Sequence, residues 1–197
     1  GFGGGTLNTN GLIAGGDFMG YSAYQENDQI RVDHDASLNF RTEDFTVSLW
    51  FKTQPAQGYG WLGEGSLMTK IEFGAPGPNG WRFTLNGSGG SEPYALRTYY
   101  MTGGSTREER TFSSNEVPVG DHEWHYNGMS LNRQPTASEI THFWRDGVIH
   151  PVSTAYDAAA AIDQDGDEDL YIASVQGGSY GLHGFIDEVR VSNIARS

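Results

Sequence analysis

The chain has 197 residues, enough to bury a full core, and one all-β domain of that length is ordinary. A formal charge of −13 and a pI near 4.7 argue against nucleic acid as a partner, because a phosphate backbone demands Lys and Arg. No apolar run reaches the roughly 18 residues of a membrane-spanning helix, and the lack of cysteine leaves the compartment open.

The chain opens on Gly1-Phe2-Gly3-Gly4-Gly5 with neither an initiator Met nor a signal peptide, and is read as a mature or excised segment of one domain, residues 1–197. Alternation first appears at 29–32. It becomes pronounced at 45–51, where Phe45, Val47, Leu49 and Phe51 share one face and Thr46, Ser48 and Trp50 the other. Further strands are predicted at 66–70, 81–85, 95–101, 123–131, 140–145, 148–151, 170–173 and 185–191. Between them, 74–80 and 87–91 are too rich in Gly, Pro and Asn to be anything but loops. Residues 59–65 and 101–116 also read as long insertions, and long loops on a rigid sandwich are where binding specificity usually lies. Asp146-Gly147 suits a two-residue hairpin turn. The best helical stretch, 155–162, is at most one turn. Some ten short strands punctuated by Gly, Asn and Asp mean a β-sandwich or jelly roll.

The run Asp163-Gln164-Asp165-Gly166-Asp167-Glu168-Asp169 has alternate carboxylates around a glycine, an arrangement that suits calcium, which takes six to eight oxygens. Asp163, Asp165, Asp167 and Asp169 are the candidate ligands; the other reading is a solvated acidic turn. Aromatic residues form a second lead. Trp61, Trp81 and Tyr99 lie in or beside the long loops, where sugars would stack on their rings while Arg97 selects hydroxyls. The alternative is that these rings fill the core.

Five elements in order resemble the LamG-like jelly-roll domains of the concanavalin A-like lectin/glucanase group. They are Asp28-Gln29-Ile30-Arg31-Val32, Phe45-Thr46-Val47-Ser48-Leu49-Trp50-Phe51-Lys52, Gly120-Asp121-His122-Glu123-Trp124-His125, Phe143-Trp144-Arg145-Asp146-Gly147 and Leu170-Tyr171-Ile172-Ala173. The closing Gly184-Phe185-Ile186-Asp187-Glu188-Val189-Arg190-Val191 is similar to the family's last strand. The resemblance implies an all-β, two-sheet antiparallel jelly-roll sandwich. By analogy with β-glucanases of this fold, it also implies a structural calcium at Asp187, shared with Asp28 or nearby carbonyls. On the odd-numbered face of the last strand, Asp187 is expected beside Phe185, Val189 and Val191.

Those glucanases need an E-x-D-x-E strand to supply paired carboxylates, and no such triplet occurs here. The expectation is a non-catalytic, calcium-binding extracellular module at a cell surface or on a virion. It would recognise a glycan or cell-surface protein, without inserting into a membrane, and would sit beside neighbouring domains of a larger chain or assembly. The alternative is a structural or assembly domain of an appendage, adhesin or virion fibre.

Overall fold

In the computed structural model the strand expected at 45–51 runs from Phe45 to Thr53 and sets the core. Phe45, Val47, Leu49 and Phe51 are all fully buried, as alternation on a half-buried strand requires. The structure describes residues 13–15, 29–41, 43–53, 65–71, 79–86, 95–102, 105–111, 121–133, 139–150, 152–154, 166–175, 181–182 and 184–196.

Two antiparallel sheets enclose the core. The first has the order β1 (Ile13–Gly15), β13 (Gly184–Ser192), β3 (Phe45–Thr53), β8 (His125–Arg133), β9 (Glu139–Arg145) and β10 (Val148–His150). The second runs β11 (Val152–Thr154), β7 (Ser105–Thr111), β6 (Ala95–Thr102), β5 (Gly80–Asn86), β4 (Gly65–Ile71), β12 (Leu170–Ile172) and β2 (Ile30–Val32). Neighbours distant in sequence, such as β13 beside β3 and β12 beside β4, carry the chain back and forth between layers. This is the expected jelly-roll sandwich. Aromatic rings fill the space between the sheets. Phe45 stacks on Phe40 with centroids 4.6 Å apart, and Phe83 of one sheet meets Phe143 of the other at 6.2 Å. Burying each such side chain contributes roughly 1.5–3 kcal/mol.

Three strands, β1, β7 and β11, were not expected. β7 falls within the stretch read as an insertion, because Ser-Thr-Arg-Glu-Glu-Arg-Thr offers no apolar residue to betray its alternation. The available signal was the turn: Thr102 pairs with Ser105, so only Gly103-Gly104 separates the strands in sequence, a hairpin spacing. The Asp146-Gly147 turn is as expected, with φ of 49° and 82°. The helical turn expected at 155–162 lies outside the described residues.

β13 corrects one expectation. Ile186 opposes Phe51 and Asp187 opposes Trp50, but pairing resumes with Arg190 on Ser48 and Val191 on Val47. Two residues, Glu188 and Val189, therefore face Leu49 alone, which is a β-bulge. One extra residue reverses the parity of a strand. Ile186 is thus fully buried on an even position, and Val189 and Val191 pack on the same core from odd ones. Phe185 and Asp187 do not share the valines' face; they lie half-buried on the outer side. Glu188 takes a left-handed φ of 47°, and its N–H donates to Asp187 Oδ1 at 2.8 Å.

Candidate functional site

Of the four residues expected at a ligand site, the structure brings Tyr99 and Arg97 together. Both stand on the outer face of β6, two residues apart, half-buried. The β5–β6 register sets Arg82 opposite Tyr99 and Thr84 opposite Arg97. The Arg97 guanidinium carbon lies 5.1 Å from the centroid of the Tyr99 ring and that of Arg82 5.9 Å from it, both within cation–π range. Arg97 Nη1 also donates to the Tyr99 hydroxyl. Arg82 is itself fixed, its Nε donating to Ser66 Oγ at 2.8 Å. Ser66, Thr69, Arg82 and Thr84 are buried despite facing outward, so among the described side chains of β4, β5 and β6 the accessible ones on this face include Arg97 and Tyr99.

Trp81 must be reassigned. It is 1% exposed and tilts against Phe45 at 5.6 Å, because β5 begins at Gly80 and its odd positions point between the sheets. Its ring is core and cannot meet a sugar. Trp61 lies outside the described residues. Arg82 was missed in the sequence, where Trp81-Arg82-Phe83 announces an outward Arg but only strand register sets it beside Tyr99.

The acidic run is described from Gly166 onward; Asp163, Asp165 and Asp28 lie outside the described residues. Asp169 engages both its oxygens, with Arg31 Nε donating to Oδ2 at 2.5 Å and the His34 N–H to Oδ1 at 2.8 Å. This pairing holds the Arg31 guanidinium above its usual pKa. Asp167 Oδ1 lies 3.8 Å from His34 Nε2. Lys70, only 1% exposed, donates from Nζ to the Gly166 carbonyl at 2.5 Å and to Asn39 Oδ1 at 2.8 Å. Among the described residues no three carboxylates or imidazoles converge as a metal site would require. Asp187 sits in the other sheet, its Oδ1 satisfied by the bulge.

A polar cluster not anticipated from the sequence clamps β8 to the β9–β10 turn. His125 Nδ1 meets Asp146 Oδ2 at 2.6 Å and its Nε2 meets Asp121 Oδ1 at 3.0 Å. Arg145 Nη2 donates to Asp121 Oδ2 at 2.8 Å. Asp146 Oδ1 accepts the Tyr126 N–H at 2.9 Å. Burial alone would raise the Asp121 carboxyl, but bonds from Arg145, the Glu123 N–H and His125 outweigh it and hold its pKa below the usual value. The Asp-Gly turn was legible; its carboxylate reaching back to β8 was not.

A family model described as the concanavalin A-like lectin/glucanases superfamily, of laminin G type, matches residues 25–197. The chain belongs to that superfamily. No curated protein sequence matches it. Solved structures share the fold at low identity. The CBM40 module of the Ruminococcus gnavus IT-sialidase, bound to α2,3-sialyllactose, superposes with a TM-score of 0.56 at 13% identity, over 88% of this chain and 92% of that one. Domain 4 of an extracellular arabinanase from Geobacillus stearothermophilus, in complex with arabinotriose, gives 0.53 at 18% identity, over 86% and 68%. The botulinum neurotoxin serotype G binding domain gives 0.64 at 9% identity; 96% of this chain spans 41% of that one, so this chain matches under half of the toxin domain's length. No helix among the described residues is long and apolar enough to cross a membrane.

Proposed function

We propose that this superfamily member is a non-catalytic glycan-recognition module working in an extracellular, cell-surface or virion setting, and that it reads its ligand along β6. The observation that carries this is the half-exposed Tyr99 ring with the Arg97 and Arg82 guanidinium groups against it. An aromatic ring offers a surface for the C–H face of a sugar, and guanidinium forks donate to hydroxyl or carboxylate oxygens. Thr84 and Ser66 bond to the protein's own groups and hold the sheet beneath.

Screening the protein on a glycan array, followed by affinity electrophoresis of the best ligand, tests the reading. Tyr99→Ala and Arg97→Ala should abolish retention while leaving the thermal melt in place. Retention unchanged in both variants would overturn the reading.

A second reading, an assembly domain, has one observation in its favour. Val148 and Ile149 are 58% and 51% exposed on β10, the last strand of the six-stranded sheet. Light scattering on the purified chain tests it: a dimer that Ile149→Lys converts to monomer would support it.

A further inference from the structure

We propose that the β6 face selects an anionic saccharide, one carrying a carboxylate or sulfate, over a neutral one; this rests on the reading of that face as the glycan site. The distribution of charge carries it. The chain has 25 acidic residues, yet β4, β5 and β6, three adjacent strands of the seven-stranded sheet, contain no Asp or Glu. Their charged residues are Lys70, Arg82 and Arg97. Lys70 opposes Trp81 and so belongs to the other side of the sheet, which leaves the two arginines on the outer face. Residues directly opposed in a ladder share a face. The β6–β7 register therefore adds Arg110 opposite Arg97 and Glu108 opposite Tyr99, and along these strands cations outnumber carboxylates.

The two arginines differ in role. Arg82 is 5% exposed, with its Nε tied to Ser66 Oγ, and its neighbours on this face, Ser66, Thr69 and Thr84, are neutral hydroxyls. It is a fixed positive charge beside the Tyr99 ring, placed where water screens it little. Arg97 is half-buried, and its Nη1 donates to the Tyr99 hydroxyl, which holds the guanidinium beside the same ring. A sugar laid on Tyr99 would bring its substituents up to a fork already in place. A hydroxyl takes one hydrogen bond from such a fork, whereas a carboxylate or sulfate takes two parallel ones with opposite charge. An anion there also relieves the repulsion between two like charges that share one ring. The overall charge of −13 disfavours anions at a distance, so the selection is made by contact at this face.

A glycan array bearing carboxylated, sulfated and neutral oligosaccharides, probed with the full chain, tests the selection. Retention is expected on carboxylated or sulfated members and not on neutral members of the same backbone; the two anionic arms show which group supplies the charge. Methyl-esterifying the best carboxylated oligosaccharide, or desulfating the best sulfated one, should weaken binding roughly tenfold or more. Arg97→Gln should cause a similar loss on the anionic probe, and Arg97→Lys, which keeps the charge but not the fork, a smaller one. Arg82→Gln should weaken the anionic probe more than any neutral one; should it fail to fold, the Arg97 pair remains decisive. Anionic retention that Arg97→Gln leaves unchanged would overturn the proposal. Neutral oligosaccharides retained as well as anionic ones, and lost in Tyr99→Ala, would overturn the selection while leaving the glycan face standing. No retention of any member would overturn both.

Discussion

The indole of Trp144 lies where a side chain at Gly128 would have to be. A Cβ built there would stand 2.4 Å from Trp144 Cζ2 and 2.8 Å from the Val47 carbonyl oxygen. The two residues are register partners on β9 and β8, facing outward, so the missing side chain lets the ring lie across its neighbour. Gly128→Ala should therefore cost about 1–3 kcal/mol by overpacking, lowering the melt by roughly 2–4 °C per kcal/mol. Urea unfolding of the variant checks this; an unchanged midpoint would mean the ring moves aside freely.

Trp81 and Tyr99 stand on adjacent strands with their side chains on opposite faces of the sheet and should respond oppositely to truncation. Trp81→Ala empties a fully enclosed site and should cost about 3–5 kcal/mol, a large part of a typical domain's stability. Tyr99→Ala removes a half-buried ring with two guanidinium contacts and should cost about 1 kcal/mol or less while eliminating glycan retention. Paired melts and binding assays separate the two effects. Equal destabilisation by both would show that Tyr99 is structural.

The bulge in β13 makes a sharp prediction about length. Deleting Glu188 would set Val189 opposite Leu49 and restore simple alternation, with Val189 and Val191 still on the core face beside Ile186. Valine burial, worth up to roughly 1.5–3 kcal/mol per side chain, is kept, so the deletion variant should remain soluble and melt cooperatively. Glu188→Gly keeps the count and suits the positive φ, so it should fold with stability within about 1 kcal/mol of the parent. A deletion variant that is insoluble or melts without cooperativity would show that the bulge itself is needed to seat the strand.

Acid should loosen the clamp around His125. The Asp121 carboxyl has a lowered pKa in the folded chain, so its contribution to stability is complete above the unfolded value, about 3.9. It is lost as pH falls through the folded value, where both states bind the proton. The stability gap between wild type and Asp121→Asn should hold constant from neutral pH down to about 5 and shrink below about 4. Urea unfolding across that range measures it; a gap that persists in acid would mean that Asp121 acts by shape alone.

The sandwich was legible because its central strands alternate cleanly: Phe45, Val47, Leu49 and Phe51 name their own face, and the Asp146-Gly147 turn names its hairpin. What stayed hidden depended on register. β7 carries no apolar pattern, and the parity change at Glu188 cannot be seen until the partner strand shows two residues facing one. The candidate site divided along the same line. Tyr99 and Arg97 were grouped from their place in or beside the long loops, whereas Arg82 joins them only through strand pairing, and Trp81 needed the strand's inward phase to be placed correctly. The acidic run was read from the spacing of its carboxylates, but its partners Arg31, His34 and Lys70 come from positions about 100 or more residues earlier.

The chain has only two lysines, Lys52 and Lys70. Lys70 is sealed under the acidic turn, leaving Lys52 as the side-chain amine open to acylating reagents. Lys52 lies on the outer side of the six-stranded sheet, paired with Phe185, whereas Tyr99 looks out from the seven-stranded sheet on the opposite side of the sandwich. A fluorophore or sensor surface attached through Lys52 would therefore sit behind the β6 face, and the protein would be presented to soluble saccharides in a single, favourable orientation.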